Sequence, residues 1–187
     1  SCHPEVAAAV EKTARLLESL GHHVEEAAPV LDPEEISRHQ STLVSANIAL
    51  TLRQRAAALG RDVAPHDVEH VTWLISEIAK LRSGTDYAEA TLFIHQLGRK
   101  FAGFLSAHDI HLTPTLALPP LALGTIDMTS PDNMTGQPSM SMPLHRDSGG
   151  LPLGMMFTAR FGDEATLFRL ASQIEAAQPW ADLRPAL

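Results

Sequence analysis

Apolar residues recur at helical spacing from the start of the chain. Val6, Val10, Ala14, Leu17 and Leu20 fall three or four positions apart, behind Pro4 and ahead of Gly21. This predicts an amphipathic helix with a proline in its first turn and a glycine at its stop. After a short run around Val24, Asp32-Pro33-Glu34-Glu35 places an N-cap, a first-turn proline and a carboxylate three residues on, a capping-box pattern that predicts a long helix toward Gly60. A third helix is expected from Asp67 as its cap, with Val68, Val71, Leu74, Ile75, Ile78 and Leu81 on one side and an end near Gly84. A fourth, capped by Thr85 or Asp86, carries Tyr87, Leu92, Phe93, Leu97, Phe101 and Phe104.

The period changes after His108. Ile110 to Thr113 reads as a short buried strand, and Pro114 to Pro131, with Pro119-Pro120 and Gly124, as irregular. Ser139 to Pro143 and Leu153 to Ala159 are apolar runs separated by Arg146-Asp147-Ser148-Gly149-Gly150, the turn chemistry of a hairpin. Asp163 caps a closing helix with Leu167, Leu170, Ala171 and Ile174 on one side, ending before Pro179. The expected organisation is one unit over residues 1–187, helical over about 1–108, with strands and the closing helix over about 109–187. A few strands cannot cover both sheet faces and both edges unless the sheet is very small, so neighbouring structure is expected beside them.

Composition narrows the function classes. A net charge of -8 argues against nucleic acid or an anionic membrane as partner, because phosphate repulsion would act over most of the surface. No apolar stretch approaches the roughly 20 residues needed to cross a bilayer, and no targeting signal is read. The single cysteine, Cys2, cannot form an internal disulfide, so the cytoplasm is the expected compartment. The first helix starts almost at once, so the N-terminus reads as a cut.

Three segments, in order, resemble the amidase-signature family, especially bacterial amidases of the 6-aminohexanoate-cyclic-dimer hydrolase type. The first runs from Asp86-Tyr87-Ala88-Glu89-Ala90 through Leu97-Gly98-Arg99 to Leu112-Thr113-Pro114-Thr115 and Pro119-Pro120. The most specific is Asn133-Met134-Thr135-Gly136-Gln137-Pro138-Ser139-Met140-Ser141-Met142-Pro143, followed by Gly150-Leu151-Pro152-Leu153-Gly154. The last is Arg160-Phe161-Gly162-Asp163-Glu164, leading into the closing helix and Pro179-Trp180.

The resemblance implies an α/β fold, the C-terminal portion of the family fold, with helices packed on a few strands of a mixed sheet with a hairpin. It implies hydrolysis of small linear or cyclic amides by a lysine, a bridging serine in a cis peptide and a nucleophilic serine. Those residues precede the matched region in the family and have no counterpart here, so no residue is assigned a catalytic role and the chain is expected to be inactive alone. Asn133, Thr135 and Gly136 are the positions expected near the acyl pocket. The implied partners are a small amide substrate and an N-terminal catalytic half, with a homo-oligomer as a further expectation; no cofactor or metal is implied. The stretch around Ser130-Pro131-Asp132 is shorter than the family usually carries.

Rival readings rest on isolated motifs. His66-Asp67-Val68-Glu69-His70 fits H-x-x-E-H, which on one helix would give a zinc hydrolase two imidazoles and a glutamate base. Asp147-Ser148-Gly149-Gly150 is similar to the serine segment of trypsin-like proteases, but turn chemistry is the simpler reading. His108 and His111 lack a third ligand nearby, and Cys2 has no setting that would activate its thiol. A non-catalytic binding or assembly module, pairing through a sheet edge, is the main alternative to an enzyme part.

Overall fold

The structure, a computed structural model, describes residues 2–120 and 132–183. The chain divides into two compact units, Ser1–Pro29 with Gly98–Leu187, and Val30–Leu97. The boundary at Leu97 falls inside a helix, and the change from helix to strand near residue 108 falls inside the first unit.

The first unit is built on three strands, β1 (Ile110–Pro114), β2 (Ser139–Arg146) and β3 (Pro152–Ala159), in the order β1-β3-β2. Both pairings are antiparallel. β2 and β3 form a hairpin, and β1 enters against the other side of β3 in the opposite direction to it. β2 runs three residues past the expected end at Pro143. Pro143 has no N–H to donate, and the register slips between Met142 and His145, so a bulge on an edge strand accommodates it.

Register gives the sheet two unlike faces. Leu153, Met155, Phe157 and Ala159 of β3 share one face with Leu112, Met140 and Met142. Helices α1 (Pro4–Ser19) and α6 (Glu164–Ala177) pack there, burying Val6, Ala9, Leu17, Leu167, Leu170 and Ile174. Phe157 is fully buried, a position where truncation to alanine costs roughly 3–5 kcal/mol. The other face carries His111, Thr113 and Thr115 from the first strand and its exit, Ser139 and Ser141 from β2, and Met156 and Thr158 from β3.

Local chemistry explains the element ends. His3 caps α1, its Nδ1 accepting from Glu5 N at 3.3 Å. The helix stops where Gly21 takes φ +92° and His22 N reaches back to Leu17 O at 3.1 Å. The hairpin turn is closed by Asp147, which accepts from Gly150 N and Leu151 N, and Ser148 N donates to the Glu5 carboxylate at 3.1 Å. In the strand before it, His145 Nε2 lies 2.9 Å from Thr13 Oγ1. The Thr13 hydroxyl donates to Ala9 O at 2.9 Å, so it accepts from the imidazole.

The second unit holds α2 (Pro33–Leu59), α3 (His70–Ala79) and the first part of α4 (Gly84–Leu105). Asp32 caps α2 as expected, accepting from Glu34 N and Glu35 N. The buried stripe of α2 is mostly polar: Ile36, His39, Thr42 and Ser45. Thr42 and Ser45 donate to carbonyls of their own helix, so burial leaves their hydroxyls satisfied. His39 is 3% exposed and stacks on Phe93 of α4 with centroids 4.3 Å apart.

Two caps differ from expectation. Asp67 does not start α3, because its carboxylate is taken by Arg61 at 2.6 and 2.9 Å and by Ala64 N at 2.8 Å. That closes a 3-10 turn over Pro65–Asp67, and α3 begins at His70. α4 is capped by Ser83 rather than Thr85 or Asp86: Ser83 Oγ accepts from Asp86 N while Asp86 accepts from Ser83 N, a reciprocal capping box. The expected irregular stretch Pro114 to Pro131 lies outside the described residues from 121 onward.

Candidate functional site

β2 is preceded by a tight turn that carries Asn133, Thr135 and Gly136. A single helical turn, α5 (Asp132–Thr135), was not foreseen; it ends at Gly136, whose φ of +77° redirects the chain into Pro138 and the strand. The Thr135 hydroxyl donates to the side-chain carbonyl of Gln137, which is buried. Ala159 N donates to Pro138 O at 3.0 Å, stitching the turn to the end of β3. A Cβ built on Gly98 of α4 would stand 4.0 Å from Thr135 Cβ, an ordinary contact, so the turn lies beside that helix without requiring a glycine there. Asn133 is exposed.

The turn opens onto the polar face of the sheet. Ser139 Oγ and Thr158 Oγ1 are 3.0 Å apart, and Thr115 Oγ1 and Ser141 Oγ are 2.6 Å apart. The second pair meets across β3 because Gly154 lies between them: a Cβ there would come within 2.6 Å of Thr115 Oγ1 and 2.8 Å of Ser141 Oγ. A cavity of about 390 Å³ adjoins this pair, lined by Val6, Thr115, Ser141, Pro143, Leu153 and Gly154 among others. Asn133, Thr135 and Gly136 do not line it. Neutral hydroxyls and an amide can hold a carbonyl or an amide N–H. None of these residues pairs a nucleophile with a base, which acyl transfer needs.

Sequence reading had passed over Gly154, Thr115, Ser141 and Gln137 as site positions. The signal for the first was present, since an isolated glycine inside an apolar strand run marks a close approach.

The zinc reading is corrected. His66 lies in the 3-10 turn, Val68 and Glu69 are extended, and His70 is the first residue of α3, so the motif does not lie on one helix. Among the described residues no group of three His, Cys, Asp or Glu side chains is placed to hold a metal. Ser148 occupies the exposed hairpin turn. His108 follows α4, with Nε2 on Glu25, and the His111 ring packs edge-on against Phe104. No helix among the described residues is long and apolar enough to cross a membrane.

The family model described as Amidase matches residues 1–168. A putative amidase AmiC of Mycobacterium leprae (strain TN) is 33% identical over 98% of this chain and 42% of its own length. A 6-aminohexanoate-cyclic-dimer hydrolase of Paenarthrobacter ureafaciens is 29% identical, again over 98% of this chain and 42% of its own. Among solved structures, the 6-aminohexanoate cyclic dimer hydrolase complexed with substrate superposes with a TM-score of 0.87 at 29% identity, covering 98% of this chain and 43% of that one. A bacterial aryl acylamidase of the amidase-signature enzymes shares the fold, with a TM-score of 0.82 at 20% identity over 99% of this chain and 44% of that one. The chain thus spans about 42% of the length of the curated relatives it matches. With the α/β architecture, the ordered motifs and a family match over most of its residues in agreement, the chain belongs to the amidase-signature family.

Proposed function

We propose that this chain is the C-terminal part of one amidase domain that hydrolyses C–N bonds of small linear or cyclic amides, and that the reacting groups come from a further stretch of polypeptide. The observation that carries this reading is the open sheet: β1 and β2 each have one edge without a strand partner among the described residues. Unpaired edges on a three-stranded sheet call for a covering element. Exposed Phe161 and Phe168 offer apolar surface to that polypeptide or to a second copy of the chain.

In the complete enzyme a nucleophilic serine attacks the amide carbonyl and passes its proton through a bridging serine to a neutral lysine. Backbone N–H groups hold the oxyanion, the amine leaves with a proton, and water hydrolyses the acyl-enzyme. Asn133, Thr135 and Gly136 form part of the acyl-pocket wall, with no cofactor. A lone cysteine and an acidic surface favour a cytoplasmic setting without nucleic acid or membrane as partner.

The experiment is a pair of substitutions in the polypeptide that contains both parts. Asn133→Ala and Thr135→Val should raise KM for an amide substrate with a smaller effect on kcat. Unchanged KM in both would remove this turn from the pocket. The same open edges favour a second reading, a non-catalytic assembly module; a folded complex of both parts without hydrolysis would support it.

A further inference from the structure

Two side-chain contacts hold the segment that follows α1 within the first unit. His22 Nε2 lies 3.1 Å from Gln173 Oε1 on α6, and Glu25 Oε1 lies 2.8 Å from His108 Nε2. His108 stands just beyond α4, its Nδ1 3.0 Å from the Phe104 carbonyl oxygen and its ring stacked on Phe104 with centroids 4.4 Å apart.

Both ring nitrogens of His108 therefore face acceptors that bring no proton, a backbone carbonyl and a carboxylate. A neutral imidazole has one N–H and satisfies only one of them; the imidazolium satisfies both. The position adds two preferences for the cation: the negative end of a helix and the face of an aromatic ring. Consistent with this, the Phe104 carbonyl first and the Glu25 carboxylate second raise the His108 pKa above its ordinary value. The other groups facing this corner are His111 of β1, edge-on to Phe104 at 5.1 Å, and Asp109, which pairs with Arg160 at 3.1 Å.

We propose that His108 is a protonation-controlled latch on the connection between α1 and α2, holding Glu25 as the imidazolium and releasing it on losing a proton. A neutral ring that keeps its proton on Nδ1 for the Phe104 carbonyl, four residues away, leaves Nε2 with no proton to give Glu25, 83 residues away. A histidine whose folded pKa is raised contributes fully below the unfolded value near 6.5, and the contribution is lost as pH rises through the folded value. The latch is closed in mild acid and open in mild alkali.

Two-dimensional NMR of ring-labelled histidines on the polypeptide that contains both parts tests this, together with the backbone heteronuclear NOE of residues 23–28 at pH 5.5 and pH 8. His108 should titrate above 6.5 with both ring nitrogens protonated at the lower pH, and the NOE of the connection should fall at the higher. In Glu25→Gln the His108 pKa should drop, and the NOE should be low at both pH values. A His108 pKa at or below 6.5, a pKa unmoved by Glu25→Gln, or an NOE that ignores pH would each overturn the latch. The wild-type titration decides the matter even if the variant folds poorly.

Discussion

Thr115 Oγ1 and Ser141 Oγ lie 2.6 Å apart, joined over the backbone of Gly154 in the strand between them. Only a residue without a side chain leaves room for that bond. Gly154→Ala should destabilise the chain by about 1–3 kcal/mol, the range for overpacking a filled site. In a Thr115→Ala/Ser141→Ala background the two closest contacts are removed and only the Cβ of residue 115, at 3.0 Å, still presses on the added methyl, so the cost of Gly154→Ala should shrink. Urea unfolding of the four proteins measures this as a double-mutant cycle, and an equal cost in both backgrounds contradicts it.

Gly136 links the Asn133–Thr135 turn to β2 at φ +77°. The Phe161 ring is 3.6 Å from a Cβ built there, ordinary contact, so the strain of a substitution comes from the backbone. Gly136→Ala should cost about 1–2 kcal/mol, and Gly136→Asn less, because asparagine tolerates the left-handed region better. Equal urea midpoints for alanine and glycine would show that the turn relaxes.

His39 gives the second unit an acid limit. Burial first and the neighbouring Arg38 guanidinium second push its pKa down, against the weaker opposing pull of Glu89 and Glu35. Arg38 Nη2 donates to His39 Nε2 at 3.1 Å, which fixes the neutral ring. The unfolded chain then binds the extra proton, so stability is fully present above about pH 6.5 and falls as pH drops through the interval down to the folded pKa. Trp73 lies on α3 in this unit, and its fluorescence in a Trp180→Phe background reports the unit's urea midpoint. The midpoint should fall between pH 7.5 and pH 5, and His39→Phe should flatten that fall.

Asp67 ties together the loop before α3. Arg61, chiefly through its hydrogen bonds, and Ala64 N hold the Asp67 carboxyl well below the usual carboxylate range. Asp67→Asn should speed proteolysis between Gly60 and His70, whereas His66→Ala and His70→Ala with added zinc should change neither that rate nor Tm. A zinc-dependent rise in Tm lost in the histidine variants would restore the metal reading.

Much of this architecture was readable from spacing alone. The α1 stripe, the Asp32 cap and the hairpin between Asp147 and Gly150 are local devices, each written in a few adjacent residues. What escaped depends on partners distant in the chain or on competition for one group. Asp67 looks like a cap until Arg61 takes its carboxylate, and Pro143 looks like a strand end until the bulge admits it. The paired hydroxyls over Gly154 come from strands 26 residues apart, and only the register brings them together. The motif singled out Asn133, Thr135 and Gly136 as expected pocket positions, but the neighbours of Thr135, Gly98 and Gln137, needed coordinates.

The central claim is that this polypeptide shapes an amide-hydrolysing site without supplying the nucleophile. The direct measurement is hydrolysis of 6-aminohexanoate cyclic dimer and of an aryl anilide by the purified 187-residue chain, beside the polypeptide that contains both parts. The longer polypeptide should turn over at least one of these substrates and lose that activity to phenylmethanesulfonyl fluoride, and the shorter chain should show no rate above buffer. Sulfonyl-sensitive turnover by the 187-residue chain alone would contradict it.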